Sequence, residues 1–221
     1  MGIITTNKRG MLIVVSGPSG AGKGTINAEL IKRNDNIWIS TSMTTREPRG
    51  AEQNGVEYFF VTKEEFEHRI KDNKFLEYAI VHGGKYYGTP KDKIQEKLDQ
   101  GIDVVLEIDI QGALEIKEII PDALFIFIMP PSMKILKKRL SGRGTETNEK
   151  ILERFKTAYN EINEFAKYNY VVVNDEVELA VKKVESILLA EKCRVDRIEE
   201  VYLDNPEEEI HEILIEKDFI N

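Results

Sequence analysis

Residues 17–25 read Gly17-Pro18-Ser19-Gly20-Ala21-Gly22-Lys23-Gly24-Thr25, and this stretch decides the fold. Closely spaced glycines let a chain curl so that successive backbone N–H groups point at one anion, and a lysine at the end of the run neutralises phosphate oxygens. Before the loop, Met11 to Ser16 is a continuous apolar run of the kind buried on both faces of a parallel sheet. After it, Thr25 to Arg33 keeps helical spacing at Ile26, Leu30 and Ile31. Strand, glycine loop and helix together make a phosphate-binding loop. The competing reading, a tight turn with a solvated lysine, leaves that flanking pattern unexplained. The position after Lys23 is Gly24, so no hydroxyl there can ligate magnesium. Thr25, one place on, is the candidate for holding the ion or its water.

Outward from the loop, strand-like and helix-like runs alternate as in a mainly parallel α/β sheet. Thr89, Pro90 and Gly101 punctuate a helix, with Thr89 as N-cap, Pro90 in the first turn and Gly101 beyond the end. Strands are expected at Ile102 to Ile108, Ala123 to Met129 and Asn169 to Val173, and a helix near Val177 to Leu189. Two segments break the rhythm. Residues 42–88 read as a small inserted lobe, with a strand at Val56 to Val61, a helix begun by the Thr62 to Glu65 capping box and an extended stretch at Phe75 to Val81. Residues 134–154 read as a basic arm, net +4, carrying Lys134, Lys137, Lys138, Arg139, Arg143, Lys150 and Arg154.

The 221 residues sit at the upper edge of one domain of roughly 100 to 200 residues, and 41% hydrophobic content supplies a core. The longest apolar run, Leu124 to Met129, falls far short of the roughly 18 residues that argue a bilayer span. Met1 to Gly10 lacks the basic start and apolar core of a secretory signal, and Cys193 is alone, so a reducing, cytoplasmic setting is expected. The net charge of −8 excludes bulk binding to nucleic acid or anionic membrane. That charge resides in the tail from Asp196 onward, which also carries an apolar stripe at Ile210, Ile213 and Leu214.

Two further clusters carry chemistry. Ser42-Met43-Thr44-Thr45-Arg46-Glu47-Pro48-Arg49, followed by Tyr58, Glu77, Tyr86-Tyr87 and Thr89, pairs two arginines with tyrosine hydroxyls, which suits a second phosphate because guanidinium forks match phosphate oxygens. Taken singly, these residues equally suit a solvated loop and ordinary lobe packing. Glu107 and Asp109, in Leu106-Glu107-Ile108-Asp109-Ile110-Gln111-Gly112, stand at the C-terminal end of a buried strand, where open α/β sheets place ligands. There they suit magnesium-bound water, a nucleoside, or helix caps.

Together with Arg139-Leu140-Ser141-Gly142-Arg143-Gly144-Thr145, these motifs occur in the order of the guanylate kinases, and over residues 10–192 the chain resembles a guanylate kinase of bacterial type. The resemblance implies an α/β P-loop nucleoside monophosphate kinase fold, a mainly parallel sheet flanked by helices with an inserted GMP-binding lobe and a mobile lid. It implies a kinase domain over residues 1–195 with its core at about 10–41, 89–133 and 155–195, the lobe at 42–88, the lid at 134–154, and an acidic extension at 196–221. The implied reaction is magnesium-dependent phosphoryl transfer from ATP to GMP in purine metabolism. By resemblance the loop residues Gly17, Pro18, Ser19, Gly20, Ala21, Gly22, Lys23, Gly24 and Thr25, with Arg139 and Asn174, hold ATP. Arg46, Arg49, Tyr58 and Tyr87 resemble the clamp on the GMP phosphate, and Ser42, Glu77, Thr89 and Glu107 the guanine contacts. Lys23, Arg46, Arg143, Arg154 and Asp109 match the catalytic positions, with Thr25 and Asp109 the metal candidates through water. The stretch Ile80 to Lys85 is one residue longer than the family pattern, so Tyr86 competes with Tyr87 for the clamp position. A ribose-bisphosphate kinase would alter Ser42, Glu77 and Thr89, and a non-catalytic scaffold would lose Lys23 and the arm's arginines.

Overall fold

The computed structural model describes residues 3–6, 9–81, 84–141 and 148–202. The elements run β1 (Ile3–Thr6), β2 (Leu12–Ser16), α1 (Lys23–Arg33), β3 (Ile37–Ile39), β4 (Met43–Thr44), β5 (Phe59–Phe60), α2 (Lys63–Lys71), β6 (Phe75–Val81) and β7 (Lys85–Pro90). They continue with α3 (Lys91–Asp99), β8 (Asp103–Glu107), α4 (Ile110–Ile119), β9 (Leu124–Met129), α5 (Met133–Ser141), α6 (Asn148–Ile162), β10 (Tyr170–Val173), α7 (Val177–Lys192) and β11 (Ile198–Tyr202). No helix among the described residues is long and apolar enough to cross a membrane.

Residues 9–184 form one unit. Its main sheet has five strands in the order β10-β9-β2-β8-β3, every neighbouring pair parallel, as the apolar runs lead one to expect. The central strand β2 is buried along its whole length. Leu12, Val14, Val104, Leu106 and Phe125 make a core with Ile94 and Leu98 of α3 and Ala113 and Ile116 of α4. Val15 lies beside Glu107, so the strand that feeds the phosphate-binding loop and the strand that ends in the carboxylates finish side by side.

The expected lobe is a four-stranded mixed sheet, β5-β4-β7-β6, closed on one side by α2. Its small core is Met43, Phe66 and Phe75, with the rings of Phe66 and Phe75 stacked 4.3 Å apart. Thr62 caps α2 by accepting the Glu65 amide at 3.1 Å, so the capping residue falls where the sequence places it. Of the strand expected at Val56 to Val61, Phe59–Phe60 forms β5, and Tyr58 before it makes an isolated bridge to Asn54. Thr89 is corrected: it lies within β7, and Pro90 is the N-cap of α3, because β7 continues to Pro90, which pairs with Phe75.

The basic arm is two helices. Leu136 and Leu140 of α5 and Ala158 of α6 form a third cluster, with Met133, Phe155 and Ile162 packed on it. The sequence reading followed the charges here, and the apolar residues underneath keep helical spacing. Residues 142–147, which include Arg143, lie outside the described residues.

The second unit takes residues from both ends of the chain, 3–6 and 185–202. In it β1 pairs antiparallel with β11, Ile4 opposite Val201. Glu191, 4% exposed, meets Arg194 at 3.4 Å and Arg197 at 3.5 Å. Pairing between the two chain ends leaves no trace in composition. The apolar stripe at Ile210, Ile213 and Leu214 lies outside the described residues.

Candidate functional site

Three glycines of the loop take positive φ: Gly17 at 142°, Gly20 at 85° and Gly22 at 95°. At Gly17 a Cβ would meet the Ile128 carbonyl oxygen at 2.3 Å, and at Gly22 it would meet Asn174 Nδ2 at 2.3 Å. Both positions therefore exclude a side chain by backbone angle and by space. The loop is braced from two sides at Ala21, whose carbonyl accepts Asn174 Nδ2 at 2.7 Å and an Arg139 guanidinium N–H at 3.2 Å. Arg139 also donates to the Asn174 carbonyl at 3.0 Å. Lys23 reaches back along the loop, its Nζ 2.6 Å from the Gly17 carbonyl. From α6, Arg154 donates to Ser19 Oγ at 2.5 Å. The structure thus gathers Lys23, Arg139, Arg154 and Asn174, drawn from four parts of the chain, onto one loop.

Beside the loop, at the end of the neighbouring strand β8, stands the carboxylate pair. Asp109 caps α4, its Oδ1 accepting the Gly112 amide at 2.8 Å. Glu107 accepts from Asn27 Nδ2 at 2.8 Å, and its oxygens lie 3.6 and 3.7 Å from where a Cβ on Gly24 would stand. Thr25 is exposed in the first turn of α1. Among the described residues no three His, Cys, Asp or Glu side chains gather into a metal-binding group.

In the lobe, Arg46 is held from every side. Its guanidinium forks onto Glu52 at 2.6 and 2.8 Å, donates to the Glu47 carbonyl at 2.9 Å, and lies 4.9 Å from the centre of the Tyr58 ring. Tyr87 stands edge-on to Tyr58 at 5.8 Å. The Glu52 fork holds the Arg46 pKa above its usual range, and Arg46 in turn, with the Arg49 amide, holds the Glu52 carboxyl down at about 2. Tyr58 is pushed up, mainly by burial. Arg49 is exposed, its backbone N–H donating to Glu52 at 2.8 Å. Strand alternation separates the two neighbouring tyrosines. Tyr86 packs on Phe66 and donates its hydroxyl to Glu67 at 3.1 Å, on the α2 side, while Tyr87 takes the opposite face with Tyr58 and Arg46.

Glu77 is placed by a bulge. Between β6 and β7, Phe75 pairs with Pro90 and Tyr78 with Gly88, so Leu76 and Glu77 together oppose Thr89. Leu76 packs on the core beside α3 and α4, and Glu77 takes the Thr89 hydroxyl at 2.5 Å and lies against Gly112 of α4, where a Cβ would stand 3.7 Å from its Oε2. Burial pushes the Glu77 carboxyl up; the Thr89 hydroxyl opposes this, and Asp109 and Glu115 add to it. Ser42 is half-buried at the start of β4, its carbonyl accepting the Phe59 amide at 2.9 Å.

A braced phosphate loop thus stands in one unit with a lobe that carries an arginine fork and a half-buried carboxylate. The sequence model of the guanylate kinase family matches residues 9–191. The chain belongs to the guanylate kinase family. It is 59% identical over 214 residues to a guanylate kinase of Clostridium perfringens, covering 97% of this chain and 99% of the relative. A guanylate kinase of Clostridium tetani is 59% identical over 207 residues, covering 94% and 99%. The crystal structure of a guanylate kinase from Anaplasma phagocytophilum superposes with a TM-score of 0.71 at 33% identity, over 88% of this chain and 93% of that one. Two residues that the structure joins to the site were not singled out from sequence: Asn27 and Glu52. Glu52 carried a signal, an acid six places after Arg46 that can turn back on it. Asn27 carried none, since it meets Glu107 only through the tertiary fold.

Proposed function

We propose that this protein transfers the γ-phosphoryl group of ATP to GMP, giving ADP and GDP, as a cytoplasmic step of purine nucleotide metabolism. The observation that carries the base choice is Glu77, a half-buried carboxylate joined to the buried Thr89 hydroxyl within a P-loop enzyme. Guanine presents N1–H and its 2-amino group as donors, which a carboxylate accepts as a pair, and a hydroxyl of Ser42 or Thr89 suits O6. Adenine reverses this edge. The loop amides and Lys23 take the ATP phosphates, with Arg139 and Asn174 keeping the loop in shape. Arg46, Arg49, Tyr58 and Tyr87 take the GMP phosphate, with Arg46 pre-aimed by Glu52.

The acceptor phosphate, with a second pKa of about 6, is already largely ionised at neutral pH, so no strong general base is required. Alignment and charge neutralisation supply most of the rate. Arg143 and Arg154 of the basic lid segment serve the transferring group. Magnesium would supply further neutralisation between the phosphates. The donor set fits an ion that arrives with the nucleotide: Thr25 and Asp109 would meet through water a cation that keeps several waters, and among the described residues the carboxylates gather into no group that would strip it bare.

The test is ADP release with each of AMP, GMP, CMP and UMP as acceptor. GMP is expected to be preferred over AMP by up to roughly 10⁴, the discrimination available to a site built on buried hydrogen bonds. A better rate with AMP, or with a sugar phosphate, overturns the reading.

A further inference from the structure

Asn27 has no part in the mechanism above, and packing alone does not account for it. It is 1% exposed; its Nδ2 donates to Glu107 Oε2 at 2.8 Å, and its Oδ1 is buried with no hydrogen-bond partner. An orphaned buried acceptor costs stability, and the one bond made runs to a residue open to water, which returns little. α1 is already seated by Ile26 and Leu30, both 0% exposed, so the helix does not depend on Asn27 for its place. Asn27 stands four residues after Lys23, about one turn, so the two side chains leave α1 on the same side. The carboxylate it holds lies 3.6 and 3.7 Å from where a Cβ on Gly24 would stand. A phosphate loop ordinarily offers magnesium a hydroxyl at that position, and Gly24 has none. Glu107 thus brings oxygen to the place where the loop lacks it. Asp109, the other acid at this strand end, is taken up elsewhere: its Oδ1 caps α4 at Gly112, against which Glu77 also lies.

We propose that Asn27 is a positioning residue for magnesium-bound ATP: its amide keeps the Glu107 carboxylate beside Gly24, where that carboxylate serves the ion's water in place of the missing hydroxyl. The inference rests on the kinase reading for ATP as the donor and is independent of the base that the acceptor carries. It puts Glu107 on the donor side of the site rather than against the guanine.

Leucine has the branching of asparagine without the amide, so Asn27→Leu removes the grip and keeps the core filled. Gly24→Ser returns a hydroxyl to the loop, and the position admits it: Gly24 is not among the glycines of positive φ, and a Cβ there meets nothing closer than 3.6 Å. Affinity for a non-hydrolysable ATP analogue is measured by calorimetry with magnesium and again with EDTA, KM for GMP by ADP release, and folding by thermal melting. Magnesium is expected to strengthen analogue binding by the wild type. Asn27→Leu should cut that magnesium-dependent gain about tenfold, the cost typical of losing a residue that orients a metal-facing group, with affinity in EDTA and KM for GMP within about twofold of wild type. Adding Gly24→Ser to Asn27→Leu should restore most of the gain, a rescue that a purely structural role would not allow. If Asn27→Leu does not fold, Glu107→Ala decides, with the same loss and the same rescue by serine expected. An unchanged magnesium-dependent gain, equal losses with magnesium and with EDTA, a loss confined to KM for GMP, or no rescue overturns the inference. A wild-type enzyme that ignores GMP overturns the functional reading instead, and the analogue titrations still judge Asn27.

Discussion

In the phosphate loop the proposed anion-binding groups are backbone amides held in place by contact, with Gly17 against the Ile128 carbonyl and Gly22 against Asn174. In the lobe the candidate groups are side chains held by one another, Arg46 by Glu52, Tyr58 and the Glu47 carbonyl. The first arrangement needs little charge and tolerates almost no change of shape. The second can relax in shape but depends on each charged partner. Substitution should therefore act differently in the two regions: in the loop through geometry and one lysine, in the lobe through loss of charge pairing.

The largest effect expected is in the loop. Lys23→Met removes a preorganised charge from the donor site and should lower kcat by at least about a hundredfold with the melting temperature unchanged. A near-normal kcat would mean that the amides alone suffice, and the contrast with the lobe would sharpen further. Next comes Arg46→Lys, which keeps the charge but loses the fork onto Glu52. It should lower kcat/KM for GMP by about ten- to a hundredfold while KM for ATP stays put. Were lysine to serve as well as arginine, the lobe would be a point-charge site and the distinction drawn here would fail.

Glu77 offers a pH test with a defined sign. Its pKa is raised by burial, so it takes up a proton at a higher pH than an ordinary glutamate does. The neutral acid no longer accepts both guanine donors, so GMP affinity should fall on the acid side while ATP affinity holds. Glu77→Gln should bind GMP weakly at neutral pH and lose that acid limb. The stability linkage runs in the opposite direction. A carboxyl whose folded pKa exceeds the unfolded one favours folding at low pH, and that contribution is lost as pH rises through the folded value. Glu77→Gln should accordingly match or exceed the wild-type melting temperature at neutral pH. The smallest effect on chemistry is expected from ending the chain at Val195. Glu191 then keeps Arg194 and loses Arg197, so the melting temperature should fall while GMP kinase activity persists. A folded but inactive truncation would bring the chain ends into the account of catalysis.

How well each region could be read follows from the same contrast. The loop is contiguous, so nine residues announce both the turn and its ligand, and its neighbours β2 and α1 follow from apolar spacing. The lobe's residues are scattered from 42 to 89 and acquire meaning only when a sheet brings them together. Tyr86 and Tyr87 show the limit: adjacent and chemically alike, they are separated by the pleat of β7, which the sequence does not date to one face or the other. Asn27 was invisible because a polar residue on a helix usually faces water. β1 and β11 were missed because their partners stand at opposite ends of the chain.

The bulge at Leu76 and Glu77 gives two neighbouring residues inward tasks that a regular strand would give to only one of them. Leu76 packs on the core that α3 and α4 share, and Glu77 meets the Thr89 hydroxyl and lies against Gly112 of α4. Deleting Leu76 would restore a regular ladder with Glu77 directly opposite Thr89, so the carboxylate and the hydroxyl would stay together while the apolar contact with the core is lost. The extra residue thus serves the seating of β6 on the core, and its loss would be read in the melting temperature before it is read in the choice of acceptor.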